Sequence, residues 1–316
     1  MKWTNICQYR SLMADSVRMD RYREAIRRVC AEKIICEIGV GLGPLSLMAL
    51  QAGAKRVYGI ELGRDVLEFT TKIARDHGFD ASRFIPLPGL STEIELPERV
   101  DVILSETLDS MGVGENTAVY MRDARTRFLK PDGAFLPARL NCYVAIANPK
   151  AYEDDCRFWN KDLSAYGLNY RQVNQLARAQ RFTLDVLPEE TLSEWYCWQK
   201  IDFARPEVSE PKTLVLLLAE KPGLATGISY AFQVDFAEGI VIDTRSGNPS
   251  THWKQGFSPF PHDDIAVERG DLVCVELAVH HADPLAARVD TKILHIPAAK
   301  VHSFLRAQRA GHSGGA

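Results

Sequence analysis

Alternating helical and strand-like segments in the first third of the chain restrict its fold more than any other feature of the sequence. Short apolar runs typical of buried strands follow segments whose apolar residues recur at helical spacing. From residue 15 to residue 106, the segments are DSVRMDRYREAIRRVC (helix), KIICEIGV (strand), PLSLMALQAG (helix), RVYGIEL (strand), RDVLEFTTKIARDHG (helix) and RVDVILSE (strand). This order predicts a parallel sheet that is covered by helices on both faces.

The pattern changes after a further predicted helix, TAVYMRDARTRFL, and a predicted turn, KPDG. From about Leu140 onward strand-like runs dominate, separated by Gly, Pro, Asp or Asn: TLVLLLAE, ISYAFQVDF, GIVIDT, LVCVELAVHH and VDTKILHIP. Such runs predict an antiparallel second domain, built as a sandwich or a barrel.

We therefore divide the chain into an α/β domain, residues 1–137, and a β domain, residues 138–316. An aromatic-rich segment at about residues 152–180 is expected to be a helical insertion into the β domain. The terminal GHSGGA is expected to be disordered, because small polar residues at a chain end bury little surface.

Bulk composition excludes several classes of protein. The 316 residues are 46% hydrophobic, which is enough for a substantial core. Seven cysteines without a CxxC pair favour a reducing, cytoplasmic setting. No segment approaches the roughly 18 apolar residues that a membrane helix needs, and no export signal follows MKWTNICQYR. A net charge of −3 provides no basic field, so we expect neither a nucleic acid nor a membrane as partner.

A glycine-rich turn, EIGVGLG, lies between the first predicted strand and the following helix. Gly39, Gly41 and Gly43 let the backbone approach a ligand closely, and Pro44 occupies the place where the dinucleotide fingerprint GxGxxG would have its last glycine. The GxGxG spacing favours an S-adenosylmethionine site. Glu61 ends the next strand, where a carboxylate can accept both ribose hydroxyls. A nicotinamide site or a purely structural turn is the alternative.

Two further positions are candidates for contacts with the cofactor. Thr92 and Glu93 lie in PGLSTEIEL, at the next loop of the same sheet edge, where the adenine amino group could be bound. The alternative is an exposed acidic loop. Arg18, near the start of the first helix, could pair with the methionine carboxylate, although an arginine is more often a solvated surface group.

The segment SETLDSMGVGEN is predicted to carry the chemistry. Glu106 ends a parallel strand, at the edge where open α/β sheets bind ligands, and Glu115 follows across a loop that contains Gly112 and Gly114. Two carboxylates in this arrangement can face one another across a planar cation. In isolation such a pair would more often belong to a solvated loop.

In combination, these segments resemble the protein arginine methyltransferases. LMADSVRMDRYREAI resembles the N-terminal helix of that family that covers the cofactor, EIGVGLG its glycine loop, GIEL its ribose-binding acid, SETLDSMGVGEN its double-glutamate loop and THWKQ its THW loop. The resemblance runs from about Leu12 to about Leu294. It implies a Rossmann-like methyltransferase domain followed by a β-barrel domain, with the segment at about 152–180 as a helical dimerisation arm and a homodimer as the assembly.

The resemblance also implies a role for individual residues, with S-adenosylmethionine as cofactor, S-adenosylhomocysteine as its product and no metal. The guanidine would be held by Glu106 and Glu115. The other residues are, for the cofactor, Arg18, Gly39, Gly41, Gly43, Glu61, Leu62, Thr92, Glu93 and Glu106; for the substrate, Met111 and Trp253; and for catalysis, the pair Asp15 and His252, which joins the N-terminal helix to the THW loop.

The sequence departs from the family in ways that bear on its substrate. The loop LDSMGVGEN lacks the Trp and Tyr of dimethylating members and resembles the LFDxxxxGEG pattern of the monomethylating, type III branch, which predicts monomethylarginine as product. The N-terminal part is short, so free L-arginine fits as well as an arginine in a peptide or protein. The remaining alternatives are a methyltransferase of another small-molecule amine, a non-catalytic scaffold of the same fold and a nicotinamide oxidoreductase.

Overall fold

The computed structural model describes residues 6–157, 159, 166–205, 212–237, 239–283, 285–301 and 303–305. The predicted disordered tail, GHSGGA, lies outside the described residues, and so does part of the predicted helical insertion, residues 158 and 160–165.

The N-terminal half contains a five-stranded parallel sheet in the order β3-β2-β1-β4-β5, which confirms the predicted α/β class. Its elements are α1 (Ile6–Ala14), α2 (Ser16–Val29), β1 (Ile34–Ile38), α3 (Pro44–Gln51), β2 (Arg56–Glu61), α4 (Arg64–Asp76), β3 (Phe84–Pro88), β4 (Val100–Ser105), α5 (Thr117–Arg127) and β5 (Leu129–Leu136).

The position of the site follows from this strand order. The central strands β1 and β4 are almost entirely buried, as expected for parallel strands with both faces covered. Because β1, β2 and β4 are parallel neighbours, their carboxyl ends meet at one edge of the sheet. The loops that follow Ile38, Glu61 and Ser105 therefore come together there.

The KPDG turn was predicted wrongly, since residues 130–133 lie within β5. Between Val100 and Val102 of β4, the partner strand advances from Leu129 to Ala134, so the extra residues bulge out of the ladder. Strand β5 is at the edge of the sheet, where a bulge and Pro131, which has no N–H to donate, are tolerated.

The C-terminal half is antiparallel and forms the β-barrel domain expected from the sequence. Its main sheet has the order β7-β13-β11-β6-β8, with β12 also paired to β11, and a second sheet has the order β16-β15-β9. Its elements are β6 (Arg139–Ala147), α6 (Asn174–Arg178), β7 (Phe182–Leu184), β8 (Tyr196–Asp202), β9 (Lys212–Leu218), β10 (Gly223–Ala225), β11 (Gly227–Ala237), β12 (Ile240–Asp243), β13 (Gln255–Pro259), β14 (Ile265–Val267), β15 (Leu272–Asp283) and β16 (Ala286–Ile296).

The predicted helical insertion is only partly helical where it is described. It contains a π-helical turn at Tyr152–Cys156, a 3₁₀ turn at Arg171–Val173 and the short helix α6. Two arginines attach it to the barrel, because Arg157 and Arg178 each approach a different oxygen of Asp264 at 2.8 Å.

The two halves share one apolar core. Tyr22 of α2 packs edge-on against Phe236 of β11, with ring centroids 4.6 Å apart. The Trp253 indole N–H donates to the Leu108 carbonyl at 2.8 Å, which ties the barrel to the loop after β4. Helix α1, the β4–α5 loop and the barrel therefore enclose the sheet edge together.

Among the described residues, no helix is both long enough and apolar enough to cross a membrane. The side chains of Cys30, Cys36, Cys142, Cys197 and Cys274 are free thiols.

Candidate active site

The glycine-rich turn between β1 and α3 has the conformation that its sequence requires. Gly39, Gly41 and Gly43 all have positive φ, at 76°, 55° and 79°. A Cβ at Gly39 would lie 2.9 Å from Thr107, and one at Gly43 would lie 2.4 Å from Thr70. Side chains are therefore excluded by both backbone conformation and space, and the loop presents bare backbone to the cleft beside it.

Glu61 is held in place by the same turn. One carboxylate oxygen accepts the Gly41 N–H at 2.9 Å, and the other accepts the Gly63 N–H at 2.8 Å. The carboxylate is thus fixed at the carboxyl end of β2, and each oxygen has lone pairs left for a ligand hydroxyl.

A cleft lies against this turn, under helix α1. Its walls include Gly39, Gly41, Glu61, Leu62, Gly89, Leu90, Ser91, Arg18, Glu106 and Glu115, together with Tyr9 and Leu12 of α1. Burial, with Glu61 and Asp65 nearby, raises the pKa of Tyr9 to about 12, so its hydroxyl stays protonated. The cleft extends from Glu61, the predicted ribose-binding acid, to Glu106 and Glu115.

The predicted adenine residues are placed differently from the others. Thr92 and Glu93 belong to a 3₁₀ turn, Ser91–Glu93, and both are exposed. The cleft wall at this point is formed by Gly89, Leu90 and Ser91 instead. The loop that contains Thr92 and Glu93 borders the cleft, but its one-turn helix brings only its first residue, Ser91, to the cleft wall.

Arg18 and Glu106, both predicted to contact the cofactor, form an ion pair with each other. Arg18 Nη2 lies 2.6 Å and Nε 3.0 Å from Glu106 Oε2, and both side chains are buried. Burial opposes the charge on Arg18, but the field and hydrogen bonds of Glu106 raise its pKa further. Both contacts use Oε2, while Oε1 receives only a long bond from the Leu108 N–H at 3.4 Å. The Oε1 atom is the part of Glu106 that a ligand can use.

Glu115 lies opposite, in surroundings that disfavour its charge. Burial and the fields of Glu106 and Asp109 raise its pKa to about 8. Asp109 shapes the loop between the two glutamates, because its Oδ1 accepts the N–H groups of Met111 at 3.1 Å and Gly114 at 2.9 Å. Burial also raises the pKa of Asp109. Three carboxyl groups in a confined space attract a cation strongly.

A second cleft opens on the barrel side of the glutamates. It is lined by Glu106, Glu115, Asp109, Ser110, Met111, Arg181, Thr183, His252, Trp253 and Phe257, and it shares Gln8, Leu12 and both glutamates with the first cleft. The predicted substrate residues Met111 and Trp253 are both found here. Glu106 and Glu115 therefore stand where the two clefts meet.

Asp15 and His252 are in direct contact. Asp15 Oδ2 lies 2.9 Å from His252 Nδ1 and accepts the His252 backbone N–H at 2.8 Å, while Oδ1 caps α2 through the Arg18 N–H. Burial acts against the charge of Asp15, but these hydrogen bonds lower its pKa overall. One carboxylate thus joins the start of α2, and with it Arg18, to the loop that carries Trp253.

Several residues of the site were not singled out by the sequence. Asp109 and Arg181 carry ordinary charged side chains whose proximity to the clefts depends on tertiary folding. Asn116, with φ of 59°, follows Glu115 and binds His281 of the barrel. Its position directly after Gly114-Glu115, where the pattern GEG has a glycine, was the one local sign of a left-handed residue.

Among the described residues, no group of three or more His, Cys, Asp or Glu side chains is arranged to hold a metal ion.

Comparison with known proteins identifies relatives over most of the chain. Residues 138–295 match the family model described as the arginine methyltransferase oligomerization subdomain. Protein arginine N-methyltransferase 1 of Chlamydomonas reinhardtii is 30% identical over 261 residues, which cover 78% of this chain and 73% of the relative. Arginine N(omega)-methyltransferase of Streptomyces achromogenes subsp. streptozoticus is 28% identical over 273 residues, which cover 84% and 74%.

Solved structures share the fold. Arabidopsis thaliana protein arginine methyltransferase 10, in an open conformation, superposes with a TM-score of 0.77 at 22% identity, over 94% of this chain and 95% of the other. The Trypanosoma brucei PRMT1 enzyme-prozyme complex with AdoHcy gives a TM-score of 0.77 at 20% identity, over 94% and 100%.

Proposed function

Because the chain belongs to the protein arginine methyltransferase family, we propose that it transfers a methyl group from S-adenosylmethionine to a guanidino nitrogen of arginine, giving Nω-monomethylarginine. The observation that carries the proposal is the position of Glu106 and Glu115 at the junction of two clefts. One cleft has the features of a nucleoside site, and the other has room for a cationic substrate.

The residues of the first cleft fit S-adenosylmethionine. Gly39 and Gly41 border the cleft without side chains, Glu61 offers a fixed acceptor to the ribose, and Leu62 borders the same cleft. Arg18 supplies a buried cation for the methionine carboxylate. When bound, the cofactor supplies the electrophilic methyl group. For the adenine, we propose the loop that contains Thr92 and Glu93. Within that loop, Gly89, Leu90 and Ser91 line the cleft.

The two glutamates bind and activate the guanidine. A guanidinium is a poor nucleophile because its charge is delocalised over three nitrogens. Carboxylates that accept its N–H bonds hold positive charge on the nitrogens they contact and leave the remaining nitrogen free to attack. Glu115 contributes a carboxylate that burial has destabilised, so a cation is its natural counterion. Glu106 uses Oε1, since Oε2 is engaged with Arg18.

Arg18 then has two tasks in this mechanism. It orients Glu106 through a two-nitrogen contact with Oε2, and the same guanidinium lies in the cleft that receives the cofactor. The methyl acceptor and the methyl donor are thereby positioned from one side chain. Asp15 supports this arrangement, because it caps the helix turn that carries Arg18.

The attacking nitrogen must lose a proton as the new C–N bond forms. The acceptors within reach of the second cleft are Glu115, whose raised pKa suits proton uptake, and His252, held through Nδ1 by Asp15. Either route leaves the proton on a residue that lines the second cleft.

Three features support the finer parts of the proposal. The loop from Leu108 to Glu115 lacks the Trp and Tyr of dimethylating members, which supports a monomethyl product. The Streptomyces relative is named for arginine itself, which supports a small substrate beside peptide or protein arginine. The match to an oligomerization subdomain supports a homodimer, with 1–137 as methyltransferase domain, 138–316 as barrel domain and the segment at about 152–180 as the dimerisation arm.

The proposal is tested by incubating the purified chain with S-adenosylmethionine labelled in its methyl group and with either L-arginine or an RGG-type peptide. Mass spectrometry should find one added methyl per guanidine. The variant Glu98→Gln, at a partly exposed acid that pairs with Arg56, should behave like the wild type. Abundant dimethylarginine contradicts the monomethyl product. Absence of any methylated arginine with both substrates contradicts the proposed function itself.

A further inference from the structure

One positively charged side chain of the second cleft, that of Arg181, has no role in the proposed function. The acidic members of the cleft, Glu106, Asp109 and Glu115, account for recognition of a guanidinium, but Arg181 also lines the same cleft. A cation placed near the binding site of a cationic group would weaken binding unless it meets an anion on the ligand. The chemistry of the proposed substrate offers such an anion.

Arg181 is not engaged in an ion pair within the described part of the chain. It precedes β7, its side chain is exposed, and it makes a weak polar contact from Nη1 to the Met111 sulfur at 3.6 Å. The other arginines that flank this region differ, because Arg157 and Arg178 are both bound to Asp264. The guanidinium group of Arg181 is therefore available to a ligand in the cleft.

The contact with Met111 shows where the Arg181 guanidinium lies in the cleft. Met111 is buried and lies in the loop between the two glutamates, four positions before Glu115. Arg181 is thereby placed beside the loop that binds the guanidine, within the same cleft. Two hydroxyls, Ser110 Oγ and Thr183 Oγ1, lie 3.4 Å apart near it and add hydrogen-bonding capacity.

We propose that Arg181 binds the α-carboxylate of the substrate arginine while Glu106 and Glu115 hold its guanidine. This inference rests on the proposed function and specifies its substrate as an arginine with a free carboxylate. The amino acid carries a positive guanidinium at one end and a carboxylate at the other, which matches a cleft with acids and one arginine. An arginine inside a peptide chain has no such carboxylate.

The size and chemistry of the cleft suit this ligand. Its volume of about 380 Å³ lies in the range of small-molecule sites. A guanidinium and a carboxylate match as two parallel N–H···O bonds, which is the strongest geometry available to either group in water. Ser110 and Thr183 complete the hydrogen bonding of a carboxylate held in this way.

The alternative is that Arg181 has no contact with the substrate and only balances the charge of its acidic neighbours. Burial raises the pKa of Asp109, and the field of Arg181 opposes that rise, after the N–H bonds from Gly114 and Met111. In that case its removal would affect every cationic substrate alike. The two interpretations therefore differ in how substrates with and without a carboxylate respond.

The test compares four guanidines: L-arginine, Nα-acetyl-L-arginine, L-argininamide and agmatine, of which the last two lack the carboxylate. For the wild type, we expect kcat/KM to be at least about 10-fold higher for L-arginine than for L-argininamide or agmatine. In Arg181→Met, KM for L-arginine should rise about 30-fold, whereas the constants for argininamide and agmatine stay within about twofold. Arg181→Lys keeps the positive charge but cannot form two parallel hydrogen bonds, so KM for L-arginine should lie between those of the wild type and Arg181→Met.

Arg205→Met is the matched control, since Arg205 is an exposed arginine of the barrel domain that lines neither cleft. A carboxylate at the end of a peptide would bind in the same way. Efficient use of Nα-acetyl-L-arginine assigns the site to a C-terminal arginine as well, and its poor use restricts the site to the free amino acid.

Equal losses for all four guanidines in Arg181→Met, or a wild type that uses argininamide as well as L-arginine, would overturn the role of Arg181. Both results would still leave methyl transfer to a guanidine in place. Failure of the wild type to methylate any of the four compounds or an RGG-type peptide would instead overturn the proposed function.

Discussion

The surroundings of Glu115 oppose the negative charge that its proposed role requires. Burial and the neighbouring carboxylates Glu106 and Asp109 raise its pKa to about 8, so near neutral pH the free enzyme holds this group largely protonated. Binding a guanidinium reverses the balance, because an adjacent cation favours the ionised form. Glu115 is therefore expected to ionise when the guanidinium of the substrate binds beside it.

This pKa leads to a prediction about pH dependence. Because the guanidine binds the ionised carboxylate, kcat/KM should rise with pH and level off above about 8, while the acidic limb of kcat should lie at lower pH, since the bound cation lowers the same pKa. Initial rates between pH 6 and 9.5, with saturating cofactor, provide the measurement. A kcat/KM that is constant over this range would contradict the assignment.

The two glutamates should also be distinguishable by substitution. Glu106→Gln and Glu115→Gln are each expected to lower kcat about 100-fold, equivalent to about 3 kcal/mol of transition-state stabilisation. Glu106→Gln also removes the carboxylate that holds Arg18, whereas Glu115→Gln leaves that pair intact. Stopped-flow rates and calorimetry with S-adenosylhomocysteine measure the two effects separately.

In that comparison, Glu98→Gln is the control for loss of a carboxylate away from the clefts. Turnover near the wild-type value in both active-site variants would exclude the guanidine clamp.

At the scale of elements, the β15–β16 hairpin of the barrel holds the loop that carries Glu115. The Ala287 N–H donates to the Gly114 carbonyl at 2.7 Å, and Asn116 Nδ2 donates to the Asp283 carbonyl at 2.6 Å. The Asn116 amide oxygen therefore faces His281 Nδ1, 2.6 Å away, so that nitrogen carries the hydrogen. Glu115 is thus fastened on both sides to an element from the other half of the chain.

We expect His281→Ala to lower kcat about 10-fold, the value of the one hydrogen bond lost with Asn116, with little change in cofactor affinity. His281→Gln retains a donor and should recover most of the rate. His280→Ala is the matched control, because the adjacent His280 instead approaches Asp290 at 3.3 Å. Steady-state kinetics on the three variants provide the measurement, and equal rates for His281→Ala and His280→Ala would exclude a positioning role.

The elements also differ in how far the sequence predicted them. Strands β1, β2 and β4 were recognisable because parallel strands with both faces covered are continuous apolar runs. Strand β13, which contains Gln255 and Gly256, has no such run, and its residues are strands because β11 and β7 pair with them. The bulge in β5 likewise depends on its partner strand, which is why the sequence alone predicted a turn at KPDG.

The site shows the same division. The glycine turn and the two glutamates could be predicted, since their function depends on spacing within one short segment. The contacts of Arg18 with Glu106, of Arg181 with Met111 and of His281 with Asn116 join residues 70 to 165 positions apart. No periodicity in the sequence records a contact of that kind, and only the folded chain brings these charges together.

For the molecule as a whole, the buried acids make stability depend on pH. The pKa values of Glu37 and Glu115 are both raised to about 8 from a normal value of 4.5, Glu37 by burial despite its bond from Ser46. The folded chain therefore binds more protons than the unfolded chain between these limits. Its free energy of unfolding should fall as pH rises from about 4.5 to about 8 and then stay level.

Glu115→Gln tests this dependence, because it removes one of the two groups. We expect the variant to be more stable than the wild type at pH 8, by on the order of 2 kcal/mol, and to lose less stability between pH 5 and pH 8. Thermal unfolding followed by circular dichroism at both pH values gives the comparison. A variant that is less stable than the wild type at pH 8 would show that the carboxylate is not strained in the free enzyme.

Gln8, Leu12, Glu106 and Glu115 are walls of both clefts, so no layer of protein separates the two compartments where they meet. A single compound that joins an adenosine to a guanidine by a short tether would therefore occupy both at once. Its second half would bind at the high effective concentration that a tether provides, without a further encounter from solution. Such a bivalent inhibitor would be selective, because neither a nucleoside-binding protein nor an arginine-binding protein alone offers both compartments side by side.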